Sequence, residues 1–543
     1  MMSGDHSRKI VVSKFTLTLI WPVILRGKPE GAQIGSNPIL EQWSKWFCDP
    51  KRGWTDVLSA CSSDEITPVP SSYEYAEIVY FHPFVRDFLM GDGGTSKKDL
   101  STRILERKDI KKVKVNVLKE NETVNGVEQE RTFTQEFDVG SVELHLMKPC
   151  VALVAVELHA SGKTLHELQQ FQDRFRRIYP PYWDGTDPGL CVRVVTWIGE
   201  NDRVLCHSDV ITQREHCLDF TRHGAEPPVL EHWQYFFGDL PALKTRQQLE
   251  NRKEKKEAEL CYQQLTDERI PTMSYFAVPD PSKISEGDYY RLTFVDDAAD
   301  SPIPNTFPYN HAFLEKTQAN YRYERFGHYG TTYLACGYGF TAVGKDDWFF
   351  TSIVHHHFRH HYFRMGLLAH YQRAALLYFA DELSNAIKDL SGEEPSQELQ
   401  NSDFRKHVEE IQMGFLKFRS RAFFPEVSNQ LQAQELWKFW FDHLNTEVLF
   451  ETVDGTSHRL TDVLAENETR QLTRFATIGV PIALALSLLS VIASFASQEN
   501  IGKTNWHVML WTSLTLMLVG LTWMGQRGFL GERMKKGINS SQG

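Results

Sequence analysis

The stretch Leu472–Ala496, LTRFATIGVPIALALSLLSVIASFA, decides how the rest of the chain is read. From Phe475 to Ala496 it carries no charge, and about 22 helical residues at about 1.5 Å each reach about 33 Å, enough to cross a bilayer. A second uncharged run, Thr504–Gly525, follows a short polar link and is also long enough. A buried hairpin in a large globular protein would be equally apolar. Trp506, Trp511 and Trp523, however, sit where interfacial anchors belong. Arg470 and Arg474 precede the first run, and Arg527, Arg533, Lys535 and Lys536 follow the second, whereas the link holds only Lys503. This asymmetry predicts a multi-pass membrane protein with both termini in the cytoplasm.

The first run carries hydroxyls in a pattern. At about 100° per residue, Ser487, Ser490 and Ser494 share a narrow stripe, with Thr473 and Thr477 on the other flank of the same side. Hydroxyls on one face of a membrane helix either let helices pack closely or line a wet pore. In the link, Glu499 and Asn500 offer an anionic mouth for entering cations.

The pattern Leu472-Thr473-x-x-Ala476-Thr477-Ile478-x-x-Pro481, the second run close behind it and the basic tail together resemble the CorA family of divalent-cation transporters. That resemblance implies a homo-oligomer, a pentamer in the family, whose first span lines the pore. It makes Thr473, Thr477, Ser487, Ser490 and Ser494 pore-lining, and a divalent metal cation of the Mg or Zn type the transported or regulatory ion. The family's Gly-Met-Asn signature is missing: Ser490-Val491-Ile492 stands near its place, and the link reads SQENIGKTN. Two readings follow. One is a divalent cation channel or transporter; the other is a membrane-anchored sensor or effector on the same scaffold that does not transport magnesium.

The 543 residues exceed one core, and the net charge of -11, with the basic tail set against an acidic remainder, argues against nucleic acid; the two apolar runs imply membrane lipid as a partner, and the resemblance implies metal cations and further copies of the chain. Eight cysteines without a CxxC pair fit reduced thiols. Nucleotide-loop, nucleophile-elbow and zinc-protease signatures are missing, so an enzyme is not expected.

Residues 1–240 read as an α/β cytoplasmic domain. β-branched runs at 15–20, 77–81, 113–118, 142–147, 151–158 and 192–198 predict a mostly antiparallel sheet, and TLHELQQFQDRFRRIY (164–179) predicts a helix stopped by Pro180-Pro181. Residues 241–345 combine a charged helix with an irregular β-containing segment, including acidic Asp296, Asp297 and Asp300. Residues 346–470 read as a helical stalk, 471–528 as the membrane hairpin and 529–543 as a basic cytoplasmic tail. Asp454-Gly455 interrupts the stalk, and a continuous helix is expected from about Ser457 to Ala496.

Within the stalk, VHHHFRHHYFRMGLLAH (354–370) stands out. On a helix, His356 with His360 and His357 with His361 are pairs four residues apart, each able to offer two imidazoles to a metal such as Zn²⁺. The same row also suits a protonation-sensitive surface or ordinary helix packing.

Overall fold

A computed structural model of the chain describes residues 10–27, 38–57, 79–90, 101–124, 127–223, 228–242, 260–296, 311–390, 402–466, 469, 473, 476 and 477. The chain divides into two compact units: Met1–Asn385 with Lys406–Val453, and Ala386–Arg405 with Asp454–Gly543.

The first unit is built on one sheet of 13 strands. In chain order its strands, with those of a small two-stranded sheet, are β1 (Val11–Val12), β2 (Lys14–Arg26), β3 (Thr55–Asp56), β4 (Thr102–Glu106), β5 (Lys112–Val124), β6 (Val127–Met147), β7 (Val151–Ala160), β8 (Lys163–Thr164), β9 (Val194–Ile198), β10 (Val204–Asp209), β11 (Cys261–Gln264), β12 (Thr272–Val278), β13 (Arg322–Tyr323), β14 (Thr332–Cys336) and β15 (Gly339–Lys345). The main path runs β10-β9-β5-β6-β7-β2-β12-β15-β14-β13, and β1 pairs with β8 apart from it. β12 lies parallel to β15, and the path is otherwise antiparallel. The mostly antiparallel sheet was expected. That β12, β14 and β15, from the segment read as irregular, extend the N-terminal strands was not.

β2 is the hinge of this arrangement. KFTLTLIWPVILR is buried along nearly its whole length because neighbours flank both edges and helices cover both faces. Pro22 lacks the N–H of a ladder residue, and it falls where β2 exchanges one partner for another: β12 pairs as far as Leu19, and β11 begins at Val23.

Side chains alternate across the sheet with a period of two. Phe15, Leu17, Leu19 and Trp21 of β2, Val142, Leu144 and Leu146 of β6, and Val154, Val156 and Leu158 of β7 enter one apolar core. The helix Leu165–Phe175 packs there, its start fixed by Thr164 and Glu167 in a reciprocal capping box. Trp21 meets Trp233, Phe237 and Tyr262 edge-on, contacts worth about 0.5–1.5 kcal/mol each beyond their burial. The alternate positions of the same strands point to the other face, beneath the helical segment that begins at Phe349.

Two short π-helical stretches, Phe349–Val354 and Phe358–Tyr362, flank the turn His355–His357 and lead into the long helix Phe363–Leu390. Leu367, Leu368, Tyr371, Ala375, Phe379 and Leu383 are buried along it. Gly366 permits the packing, because a Cβ would lie 2.6 Å from the Trp440 ring and 2.7 Å from Met273 Sδ. Trp440 belongs to the helix Leu431–His443.

The expected fold class, an α/β domain with a stalk and two C-terminal transmembrane helices of CorA type, is corrected by these findings. The described residues form a mixed α/β unit around the large sheet, and among them no helix is long and apolar enough to cross a membrane. Length is not the obstacle: Phe363–Leu390 has 28 residues, but Arg364, Arg373, Asp381, Glu382 and Lys388 interrupt its apolar face. The expectations of a transmembrane ion-transport protein and of a multi-pass membrane location are corrected on the same finding. The runs 472–496 and 504–525 that prompted them lie outside the described residues, except Thr473, Ala476 and Thr477. A strand at 77–81 is likewise corrected, since Val79 and Tyr80 are helical.

In the second unit the described residues are helical, Asp454 and Gly455 included. His458 pairs with Asp454 one turn away at 3.7 Å.

Candidate functional site

The non-core face of β2, β6 and β7 carries polar residues that the alternation would otherwise fill with apolar ones. Glu143 and His145 stand on β6, Glu157 and His159 on β7, and Thr16 and Thr18 on β2. Both carboxylate–imidazole pairs come from one tetrapeptide, VELH, at 142–145 and again at 156–159. The two copies run antiparallel on neighbouring strands, with Val142 opposite Val156. In each, the valine and leucine enter the core while the glutamate and histidine face the helical layer.

Each pair meets an arginine from that layer. Arg359 grips Glu157 with Nε donating to both carboxylate oxygens at 3.0 Å, and Nη2 adds a third bond. Arg364 approaches Glu143 at 3.7 Å. Within the pairs, His159 Nε2 lies 2.9 Å from Glu157 Oε1, and His145 Nε2 lies 2.8 Å from Glu143 Oε2. A β-bulge between Val139 and Ser141 brings Gly140 against the outer pair, so close that a Cβ would sit 2.3 Å from His159 Nε2.

Burial raises the carboxyl of Glu157, but bonds from His159 and Arg359 outweigh it and hold the group down at about 2. Glu143 is also lowered, by His145 and Arg364 against burial. His145 is wholly enclosed, and desolvation pushes its imidazole down despite Glu143.

The outer pair extends into a relay. Thr16 Oγ1 lies 3.1 Å from His159 Nδ1 and 2.9 Å from His355 Nε2. One tautomer set satisfies every contact: His159 Nε2–H donates to Glu157, the Thr16 hydroxyl donates to His159 Nδ1, and His355 Nε2–H donates to Thr16. Desolvation, then Lys14 and Arg359, push His355 down to about 3, so it stays neutral. His159 is 28% exposed while Thr16 is fully buried, so the relay leads from solvent into the interior. Its inner end sits where the two π-helical stretches meet, and π-turns recur at functional sites. Lys14 fixes the first stretch by donating to Thr351 O at 3.2 Å.

Carboxylate, imidazole and hydroxyl in series also make acyl-transfer sites. Here the hydroxyl is enclosed and shared with His355, which leaves no face for a substrate in this conformation.

The histidine pairs do come together: ring centroids lie 4.4 Å apart for His356 and His360, and 4.8 Å for His357 and His361. Among the described residues no group of three or more His, Cys, Asp or Glu side chains is arranged to hold a metal ion. His361 is instead buried against the Tyr80 ring at 4.2 Å. Thr473 and Thr477 are exposed and helical, and their hydroxyls donate to the carbonyls of Thr469 and Thr473 in their own helix. Ser487, Ser490, Ser494, Glu499 and Asn500 lie outside the described residues, as do Asp297 and Asp300.

No protein-family model, curated protein or solved structure matches this chain.

Proposed function

We propose that this protein is a sensor or effector rather than an enzyme, and that protons at the Glu157–His159–Thr16–His355 relay are one of its inputs. The observation that carries this reading is the relay itself, which joins a partly exposed imidazole to a buried one under the π-helical segment. When His159 takes up a proton, both its nitrogens donate. The Thr16 hydroxyl must then turn to donate to His355 Nε2, and His355 must shift its proton to Nδ1. Glu157 then serves two cations, His159 and Arg359, with Lys14 close by. Proton uptake at the surface is thereby converted into rearranged bonds where the 349–362 segment docks on the sheet. A two-state element biased by histidine protonation is the usual design of a pH-responsive protein.

The test is hydrogen exchange of the full chain at about pH 7.5 and about pH 6, corrected for intrinsic chemistry. Exchange in 349–362 should rise at the lower pH by more than in the rest of the sheet, and His159→Gln should abolish that excess. A rise no larger there than elsewhere in the sheet, or an excess that survives His159→Gln, would refute the reading.

A further inference from the structure

A second buried cluster lies on the other side of the sheet, at the end of the helix Leu165–Phe175. Arg176 is fully buried; its Nη2 donates to Asp173 Oδ1 at 3.2 Å and to Val295 O at 2.9 Å, while Nε and Nη1 have no partner among the described residues. Arg177, also buried, bonds Asp173 at 2.9 Å and Glu268 at 2.6 Å, and its Nε is likewise left over. Arg269 joins them: Arg176 and Arg269 both stand over the Tyr338 ring, at 4.8 and 5.1 Å. Buried polar atoms in folded proteins nearly always have partners, and orphaned guanidinium donors point to a water or an ion that fills them. Three donors on two neighbouring arginines favour an acceptor with several oxygens, and guanidinium recognises oxyanions best.

We propose that Arg176, Arg177 and Arg269 form a site for a small tetrahedral oxyanion of the phosphate class, on the Asp296 and Tyr338 side of the cluster. The enclosure of Arg176 limits the ligand to a small free anion rather than a phosphate group on a macromolecule. Asp296 regulates the site. Burial and Asp173 push its carboxyl up to about 6 against the pull of Arg176, Arg269 and Arg177. Below that pH it is neutral and the arginines are left to the anion; above it, the carboxylate competes. Asp173, Glu268 and Asp267 are ion-paired to the arginines, and two further neighbours stay uncharged across this range, since burial pushes the Cys336 thiol up to about 11 and the Tyr338 hydroxyl up to about 12.

Sulfate is the probe, because its charge does not change over this range. It is titrated calorimetrically into the full chain at fixed ionic strength, at about pH 6 and about pH 7.5. Saturable binding is expected, about tenfold tighter at the lower pH, as follows from the fraction of Asp296 protonated. Asp296→Asn should bind at about pH 7.5 at least as tightly as the half-protonated parent at about pH 6, with the pH dependence gone. Arg176→Met should bind none. If that variant does not fold, Asp296→Asn alone decides the matter. No saturable binding by the parent and by Asp296→Asn overturns the proposal, as does undiminished binding by folded Arg176→Met.

Discussion

His355 Nε2 lies 2.9 Å from the hydroxyl of Thr16, a residue 339 positions earlier, and this bond fastens the histidine-rich segment to the central strand β2. Thr16→Val keeps the shape of the side chain and removes the bond. Both His355 Nε2 and His159 Nδ1 lose their shared partner. A buried group left unpaired costs about 1–3 kcal/mol. Urea unfolding at about pH 7.5 should therefore show a loss in that range; a loss below about 0.5 kcal/mol would mean that the bond is not made in solution.

The buried histidines make the protein acid-labile above the pH at which carboxylates ordinarily titrate. Desolvation holds His232 and His370 at about 3, and His355 is held there with help from Lys14 and Arg359. A folded pKa below the unfolded value means that the unfolded chain binds more protons, so the stabilisation is whole above about pH 6.5 and lost as pH falls. At pH 5 each group forfeits about 2 kcal/mol, about 6 kcal/mol together, a large share of a typical 5–15 kcal/mol stability. Glu157, held at about 2, acts in the same direction over a lower window: its contribution persists until pH drops below its ordinary value of 4.5. Chemical unfolding between pH 7.5 and 5 should show a steep decline, and a flat profile would show that these histidines are solvated.

Gly140 tests whether the outer pair needs its bulge. A methyl there would sit 2.3 Å from His159 Nε2 and 2.4 Å from Glu157 Oε1, and neither atom has slack, being bonded to the other. Gly140→Ala should cost about 1–3 kcal/mol by overpacking and should also weaken the pH response of the 349–362 segment. A stable variant with an unaltered response would mean that the strand yields there.

Gly366 sets helix propensity against packing. Replacing an interior helical glycine by alanine gains about 1 kcal/mol in principle. Here the new methyl meets the rigid Trp440 ring at 2.6 Å and Met273 Sδ at 2.7 Å, and overpacking costs about 1–3 kcal/mol. Gly366→Ala should thus lower the thermal midpoint, and a raised midpoint would mean that the helix shifts freely on β12.

Much of the sheet was legible because its strands read as continuous or alternating β-branched runs: 15–20, 113–118, 142–147 and 151–158 fall in strands, and 192–198 does so from Val194 onward. β12, β14 and β15 were hidden among Gly, Pro and aromatic residues, and only long-range pairing with β2 makes them central. The histidine row announced itself, but its partners did not. Glu157 and His159 read as the polar half of an ordinary strand, and their one local signal was the repeated VELH. The apolar C-terminal runs pointed to membrane helices through length, hydropathy, flanking charge and the resemblance to the CorA family, none of which says what the residues before them build.

Of the ion pairs that hold the helical layer on the sheet, the one near its start and the one near its far end should differ in their response to protons. Near its start Arg359 grips Glu157, which also serves His159. Near the far end Arg26 of β2 pairs with Glu382 and, at 3.0 Å, with Asp381. Arg26 and Glu382 are nearly buried, and His407, 3.8 Å from Glu382, is 42% exposed, so its link to the pair is a solvent-screened one. Arg26→Met leaves Glu382 enclosed without its cation, which should cost about 3–5 kcal/mol, as breaking a buried pair does. The cost should be the same at about pH 7.5 and about pH 6, and hydrogen exchange in 349–362 should keep its dependence on pH. If Arg26→Met instead removes that dependence, proton sensing belongs to the whole helical layer rather than to the relay under its first turns.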